Sequence, residues 1–521
     1  MNLVEFIFKS ARELDRWQQP AILYKDYQLT YEQLNHLVRN CGQTLKALNI
    51  ASGDRVAIIA RDCPEFIISF LGTAAIGSVS VPISTMLAPA ELEYILNDCG
   101  AKMAIITPDQ IEKLQIIRDN LPRLETILLI DGEAEGMANF HQALSAYGEA
   151  EIEPIDDETL AFILYTSGST GKPKGAMHVH RSLPYTVNTY CKHILQIEPE
   201  DRLFSSSRLF FAYGLGNSLS FPLSSGAAVI LCQDRPTPQL IAKIFSSYRP
   251  TIFFGVPAVF RALIEHKNKG APLGTESLKL CVSAGESLPA QIFHEWKKST
   301  GLSILDGIGS TEMLHIFISN RKDYIRPGSS GAVVPGYEAK IVDQSGNEIV
   351  APGAGNLMIK GLSASPGYWN NPEKTAATMQ GQWMRTGDVY RRDEEGVYWF
   401  EGRSDDLFKV KGLWVSPIEI EDALLSHPDV LEAAIVPGVD KDGINIAVAF
   451  VVLKANLSPD DTLAQRLKSH ASSLLPSYKC PAEIHFIDQL PRTATGKLQR
   501  FKLRDASHLE AIQKSCNERL C

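Results

Sequence analysis

Nine cysteines are scattered through 521 residues, an odd number, and no two are spaced C-x-x-C. Neither a disulfide framework nor a zinc signature is present, and a reducing compartment fits best. There is also no run of five or more Lys/Arg, and the net charge is −9. Phosphate-backbone binding needs a basic stripe, which argues against nucleic acid as a partner. The N-terminal stretch carries Glu5 inside its apolar run and offers no small-residue cleavage site, so no secretory leader is read there and a cytoplasmic protein is expected. Two uncharged stretches, 66–87 and 209–233, exceed the roughly 20 residues needed to cross a bilayer. Gly72, Gly77 and Pro82 interrupt the first, and Gly214, Gly216, Pro222 and Gly226 the second. Both are therefore read as buried helix-turn-strand segments, with no membrane partner.

With 45% apolar and 21% charged residues the composition is that of a globular protein. A chain of this length is expected to form about two to four packed units. Runs rich in β-branched residues (56–60, 104–107, 126–130, 227–232, 251–255, 278–283) alternate with amphipathic segments such as 31–48 and 240–248. This predicts α/β layers around buried parallel strands. From about residue 330, shorter strands punctuated by Gly and Pro (331–334, 339–342, 356–359, 397–401) predict a small β-rich unit. Beyond Arg403, a helix at 417–426, strands at 433–436 and 446–452 and a helix at 462–474 predict an α+β module. The expected architecture is thus α/β, with a large N-terminal domain (1–404) of layered α/β subdomains whose β-rich part spans about 330–404. A small α+β C-terminal domain (405–521) follows, the boundary falling where Ser404 and Asp405 interrupt the apolar pattern.

The segment 165–175, YTSGSTGKPKG, directly follows the apolar run 160–164. Gly168, Gly171 and Gly175 permit positive φ and close backbone approach. Thr166, Ser167, Ser169 and Thr170 add hydroxyls, and Lys172 and Lys174 add charge, a composition suited to wrapping a triphosphate. It is not a Walker A loop, because after the four residues that follow Gly168 comes Pro173 where Gly-Lys-Ser/Thr is needed. A flexible Ser/Gly loop has the same composition, so the segment alone decides nothing. Residues 306–312, DGIGSTE, follow an expected strand near 302–305 and place Ser310, Thr311 and Glu312 on one tight loop. Glu312 beside a phosphate loop suits Mg2+, although a plain strand-to-helix turn capped by Ser310 or Thr311 reads the same. Thr386-Gly387-Asp388 offers a carboxylate in a turn, the kind of group that holds a ribose diol. Residues 402–421, GRSDDLFKVKGLWVSPIEIE, combine Arg403, two acids, two lysines and a Gly-aromatic turn before a helix; Lys409 and Lys411 alternate on one strand face and read equally well as solvated. Residues 491–497, PRTATGK, end in Gly496-Lys497, by itself a surface turn.

In this order, and from near residue 11 to about 505, these five stretches resemble the adenylate-forming superfamily of acyl-CoA synthetases, peptide-synthetase adenylation domains and luciferases. Residues 209–223 (LFFAYGLGNSLSFPL), 306–320 (DGIGSTEMLHIFISN) and 413–419 (LWVSPIE) resemble the benzoate-CoA ligase branch. The resemblance implies that Thr166, Ser167, Gly168, Ser169, Thr170, Gly171 and Lys174 hold the β- and γ-phosphates of ATP. Gly285, Glu286, Asp306, Gly307, Ile308, Gly309 and Ser310 would line the nucleotide site, with Thr311 at the α-phosphate and Glu312 on Mg2+. Asp388 would hold the ribose hydroxyls with Arg403 close by, and Lys497 would bridge the substrate carboxylate and ATP. Asp405 would be the hinge about which a mobile C-terminal domain turns between half-reactions, and Lys411, Gly412, Leu413 and Trp414 would line the tunnel for CoA.

The same resemblance puts the acyl pocket between Phe211, Ala212, Tyr213 and Gly214 on one side and Ser283, Ala284 and Ile308 on the other, with His315 nearby. Aromatic walls and small floors suit a planar benzoate better than a long chain. Phe210 and Phe211 read equally as core, His315 as a satisfied interior histidine, and His178 and His180 as structural. Ile308 stands where the superfamily usually has an adenine-stacking aromatic, for which Tyr337 is a candidate substitute, and Arg208 stands where the benzoate branch would have Lys. The implied function is an ATP-dependent ligase that converts an aromatic acid to its acyl-adenylate and then to a CoA thioester, working as a monomer or homodimer. Alternatives are a free-standing adenylation enzyme loading a carrier protein and a ligase for a small non-aromatic acid. A non-catalytic relative is disfavoured, because Glu312, Asp388, Arg403 and Lys497 are all present.

Overall fold

The computed structural model describes residues 1–166, 172–410, 413–440, 443–454, 457–492 and 498–504. The chain divides into two units, Met1–Ala339 with Ile359–Arg385, and Lys340–Met358 with Thr386–Cys521. Residues 386–404 therefore group with the C-terminal segment.

In the first unit β1 (Pro20–Tyr24) and β2 (Tyr27–Thr30) form a hairpin. The next strands, β3 (Arg55–Ile59), β4 (Val79–Pro82), β5 (Met103–Ile106), β6 (Thr126–Leu129), β7 (Ala138–Asn139), β8 (Leu160–Thr166) and β9 (Lys174–Val179), build a seven-stranded sheet in the order β7-β6-β5-β3-β4-β8-β9. It is parallel except for the β8–β9 hairpin. Then β10 (Arg202–Ser205), β11 (Ala228–Leu231), β12 (Ile252–Gly255), β13 (Leu280–Ser283), β14 (Ile304–Gly309), β15 (Ile316–Ser319) and β16 (Ala332–Val333) join the first hairpin. Their nine-stranded sheet runs β16-β15-β14-β13-β12-β10-β11-β1-β2. Every residue of β4, β5, β11, β12 and β13 is buried, as expected of strands covered on both faces, and all but β4 overlap the apolar runs read from the sequence.

Helix Tyr31–Ala47 starts from a capping box, in which the Thr30 hydroxyl accepts from Gln33 N and the Gln33 side chain accepts from Thr30 N. It buries Tyr31, Leu34, Val38, Cys41 and Leu45, a three-to-four spacing that makes one apolar face. That face packs on helix Pro64–Ala75, where a Cβ at Gly72 would lie 2.6 Å from Cys41 Cβ. The uncharged stretch 66–87 is this second helix, a turn at Gly77 (φ +72°) and β4; the stretch 209–233 is helical turns over Ala212–Ser225 followed by β11. Among the described residues no helix is long and apolar enough to cross a membrane.

Strands β17 (Glu338–Val342), β18 (Gly353–Lys360) and β20 (Trp383–Arg392) straddle the division, while the short β19 (Met379–Gln380) lies before it. Within the second unit β20 pairs antiparallel with β21 (Tyr398–Arg403), and β22 (Phe408–Val410) pairs with β23 (Leu413–Val415). A three-stranded sheet of β24 (Val430–Val439), β25 (Asn445–Leu453) and β26 (Glu483–Phe486) follows. Ile420 and Leu424 of helix Pro417–Leu425, and Leu463 and Leu467 of helix Asp461–Leu474, meet Ile435 and Ala449 in its core.

Two sequence expectations are corrected here. Asp306–Gly309 do not belong to a tight loop but complete β14, because Gly307 and Gly309 permit close pairing with β15; a Cβ at Gly309 would fall 2.5 Å from His315 O. Thr386-Gly387-Asp388 lies inside β20 rather than in a turn, since the ladder continues through Asp388 opposite Arg403 despite the positive φ of Gly387 (+77°).

Candidate active site

The C-terminal ends of the parallel strands β12, β13 and β14 bring most of the expected pocket residues together, the edge at which open α/β sheets take their ligands. Ser283 closes β13 opposite Asp306 of β14, Ala284 is buried beside it, and Gly285 turns away with φ +94°. Glu286 follows Gly285 on that turn. The Tyr213 hydroxyl lies 3.4 Å from both Gly255 O and Val282 O, so the segment 211–214 closes over two strand ends. Gly214 makes that closure possible, because a Cβ there would sit 1.9 Å from Arg208 O.

His315 follows the left-handed Leu314 (φ +67°) and points into an aromatic nest. Its ring centroid is 5.3 Å from Tyr190, 5.5 Å from Tyr213 and 4.5 Å from Phe221, and its Nε2 pairs with Asn217 Oδ1 at 3.2 Å. Burial pushes this imidazole down to about 3, so it is neutral, and burial pushes the Asp306 carboxyl well above the usual carboxylate range. Asp306 faces the Ser283 hydroxyl, and His315 faces the Tyr213 backbone, so these buried polar groups lie together at the strand ends.

The β8–β9 hairpin sets Thr166 opposite Lys174, and Ser167, Gly168, Ser169, Thr170 and Gly171 lie outside the described residues. From β9, Lys174 Nζ donates to the Tyr368 hydroxyl (2.8 Å), and that hydroxyl donates to Glu312 Oε1 (2.6 Å). Lys174 and Glu312 stand 3.6 Å apart as an ion pair, both largely buried. Thr311 is anchored through its carbonyl, which accepts from His178 Nε2 at 2.9 Å, and the Ser310 hydroxyl accepts from Met313 N. Burial pushes His178 down to about 4 and its ring stacks on Phe162, so a neutral imidazole ties β9 to the turn bearing Thr311 and Glu312. His180 accepts from Leu3 N.

Ile308 is partly exposed on β14. Tyr337, the candidate substitute for an aromatic there, is buried, its hydroxyl is bonded to Ser363, and its ring packs on Tyr185 and Phe317. Arg208 has its own structural use. Its guanidinium donates to Cys232 O and Asp234 O (2.6 Å each) and faces the buried Asp62, whose carboxylate accepts from Leu209 N. That wiring fixes the start of the segment carrying Phe211 and Ala212.

In the second unit Arg403 Nη1 donates to Asp388 Oδ1 at 2.8 Å, and Asp388 N donates to Thr386 Oγ1. Gly387 adopts φ +77°, which favours glycine, and a Cβ there would lie 2.9 Å from Arg403 Nη2, the movable end of that side chain. Asp405 is exposed and its carbonyl accepts from Arg504. Next to it, Asp406 pairs with Arg504 (2.6 Å) and Arg500 (3.5 Å), and Arg500 grips Glu421 through two contacts of 2.8 Å. Leu413 opens β23 and is half exposed, and Trp414 pairs through its backbone with Lys409. Lys411, Gly412 and Lys497 lie outside the described residues.

Sequence reasoning missed Tyr368, Asn217 and the anchoring use of His178. Gly367-Tyr368 in SPGYWNN reads as a glycine-aromatic turn after an apolar strand, which by itself announces no chemistry. A cavity of about 540 Å3 lined by Leu129, Asn139, Gln142 and Tyr147 sits at the β7 edge, the opposite end of the seven-stranded sheet from β8 and β9.

The chain matches the AMP-binding enzyme family over residues 10–369 and the AMP-binding enzyme C-terminal domain over residues 419–497. It is 44% identical over 482 residues to a benzoate–CoA ligase of Thauera aromatica, covering 92% of this chain and 90% of that protein. Among solved structures it is similar to a benzoate CoA ligase from Burkholderia xenovorans LB400, at 38% identity with a TM-score of 0.89 over 97% of this chain and 100% of that one. An anthranilate CoA ligase in complex with anthranoyl-AMP superposes with a TM-score of 0.93 at 38% identity, over 98% of both chains.

Proposed function

The chain belongs to the AMP-binding enzyme family, and from that premise we propose that it is an ATP-dependent aryl-CoA ligase. It converts benzoate or a substituted benzoate to the acyl-adenylate with release of pyrophosphate, then transfers the acyl group to CoA, leaving AMP. The observation that carries the aromatic substrate is the nest of Tyr213, Phe221, Tyr190 and a neutral His315 at the ends of β12 to β14. Rings gathered at these strand ends favour a planar acid over a long chain.

Two anions must meet in the first half-reaction. Unit charges 4 Å apart repel by about 4 kcal/mol at an effective dielectric of 20. Lys174, with the hydroxyls of the loop that begins at Thr166, takes the β- and γ-phosphates, and Thr311 takes the α-phosphate. Glu312 fits Mg2+: its carboxylate is a hard oxygen donor, and no group of three or more His, Cys, Asp or Glu forms a metal cage among the described residues. One carboxylate with phosphate oxygens completing the shell is how Mg2+ is usually held. When bound, Mg2+ supplies positive charge at the phosphates. Lys497 then orients the incoming carboxylate, and Asp388 and Arg403 hold the ribose.

The acyl-adenylate must be kept from water until the thiol arrives. Turning of the C-terminal domain (405–521) about Asp405 withdraws Lys497 and opens a path for the thiol past Lys411, Gly412, Leu413 and Trp414. The enzyme works in the cytoplasm as a monomer or homodimer. Pyrophosphate exchange over a panel of aryl and alkyl acids, each followed by thioester formation with CoA or with a carrier protein, tests the reading. Exchange with benzoate and transfer to CoA are expected; exchange confined to alkyl acids, or transfer confined to the carrier, overturns it.

A further inference from the structure

Tyr368 lies at a junction that no sequence motif announced. The segment 365–369 is tied on one side to β9, through Met177 N to Gly367 O (3.0 Å) and Trp369 N to Gly175 O (2.8 Å). On the other side Ser365 N donates to Glu312 O at 2.7 Å. The Tyr368 ring is 3% exposed, and Lys174 Nζ sits 4.3 Å from its centroid. A buried tyrosine needs a partner for its hydroxyl. Here the hydroxyl has two of opposite charge, accepting from Lys174 and donating to Glu312.

We propose that Tyr368 is a positioning residue for metal–nucleotide binding. Its hydroxyl holds Lys174 and Glu312 at 3.6 Å and keeps them from closing into a direct, charge-assisted hydrogen bond. A closed pair would be short and strong, and an arriving nucleotide would have to break it before either charge could be used. With the hydroxyl between them each group keeps a partner while the other moves: when Lys174 turns to a phosphate, Tyr368 still supports the Glu312 carboxylate. The inference rests on the ligase reading above, in which Lys174 and Glu312 serve the phosphates and Mg2+.

The test is Tyr368→Phe, which keeps the ring and its contact with Lys174 and removes the oxygen. Binding of a non-hydrolysable ATP analogue is measured by calorimetry with and without Mg2+, alongside Mn2+ titration followed by electron paramagnetic resonance. Nucleotide affinity is expected to fall about tenfold, the size of losing one hydrogen bond to a charged group, without metal as well as with it, and Mn2+ affinity of the nucleotide-loaded protein to fall in step, while the KM for benzoate changes less than about threefold. Nucleotide affinity within about twofold of wild type, or a benzoate KM that rises as much as nucleotide affinity falls, overturns the proposal. If Tyr368→Phe does not fold, as judged by circular dichroism, Tyr368→His carries the test through its ring N–H. Binding within about threefold of wild type supports a donor at this place, and a loss beyond about tenfold refutes it. Wild-type pyrophosphate exchange separates the two ideas: no exchange with any acid sinks the ligase reading, whereas normal exchange with an indifferent Tyr368→Phe sinks only this one.

Discussion

A single methyl group at Gly216 tests whether the His315 ring walls the acid pocket. A Cβ there would lie 2.3 Å from His315 Cδ2, 2.7 Å from its Nε2 and 3.3 Å from Phe221 Cε2. Ordinary carbon contacts begin near about 3.5 Å, so in Gly216→Ala the ring must retreat by about 1 Å. It has little room, because Tyr190, Tyr213 and Phe221 enclose it and Asn217 holds its Nε2. Overpacking of this kind costs about 1–3 kcal/mol. Replacing a helical glycine by alanine returns about 1 kcal/mol, and Gly216 opens a helical stretch, Gly216–Ser220. Net destabilisation is therefore modest, about 0–2 kcal/mol.

The effect on substrate is larger and selective. A displaced ring takes the space of about one methylene from the proposed acid pocket, worth about 1–3 kcal/mol in discrimination. The benzoate KM in pyrophosphate exchange should rise about tenfold with the KM for ATP unchanged, and a smaller acid should suffer less. In a His315→Ala background the same methyl has no ring to meet, so a double-mutant cycle should show the loss abolished. Equal shifts in the KM values for benzoate and ATP, or an additive cycle, would refute the placement of His315 against the acid.

Three further outcomes follow from the same residues. Lys497→Ala should lower pyrophosphate exchange by more than about a hundredfold yet leave CoA thioester formation from supplied benzoyl-adenylate intact; loss of both activities removes the role given to this lysine. Asp405→Pro fixes φ at a backbone that must change conformation, so it should spare exchange and cripple thioester formation, measured as two separate half-reactions. Burial raises the Asp62 carboxyl from 3.8 to about 6, so the folded chain keeps this proton at pH values where the unfolded chain has lost it. The stabilisation is full below about pH 4 and is lost as pH rises through about 6, up to about 3 kcal/mol. Asp62→Asn retains an acceptor for Leu209 N and removes the titration. Urea unfolding should show the variant gaining on wild type across that window, and a difference flat with pH contradicts the argument.

Burial decides what was legible in the sequence. Met103–Ile106 and Ile252–Gly255 are covered on both faces, and such strands announce themselves as apolar runs. β9, KGAMHV, is different: it opens on Lys174 and Gly175 after a Gly-rich loop, and pairing with β8 makes it a strand. Asp306–Gly309 holds two glycines in four residues and imitates a loop, although those glycines are what let β15 approach. Charged residues with a recognisable chemistry, such as Glu312 in the first unit and Asp388 and Arg403 in the second, could be singled out as candidates from the sequence. Tyr368 and Asn217 could not, because their meaning lies in partners 194 and 98 positions away along the chain, Lys174 and His315.

A protein of net charge −9 that binds a triphosphate must hold its cations where phosphates can claim them. Here those cations are already paired: Lys174 with Glu312, and Arg403 with Asp388. Nucleotide binding at Lys174 is then an exchange of partners rather than the filling of a bare positive site. When a phosphate takes Lys174, Glu312 is left facing the same phosphates, and each such uncompensated pair at 4 Å opposes binding by about 4 kcal/mol at a dielectric of 20. A divalent cation arriving with the nucleotide removes that opposition by giving the carboxylate a new partner. Metal and nucleotide must accordingly bind synergistically: each should tighten the other by the same factor, and Glu312→Gln, which leaves no anion behind, should weaken metal-free ATP binding less than it weakens the Mg2+ complex. Metal-free and metal-loaded affinities that fall in parallel in Glu312→Gln would mean that the carboxylate serves the fold and not the exchange.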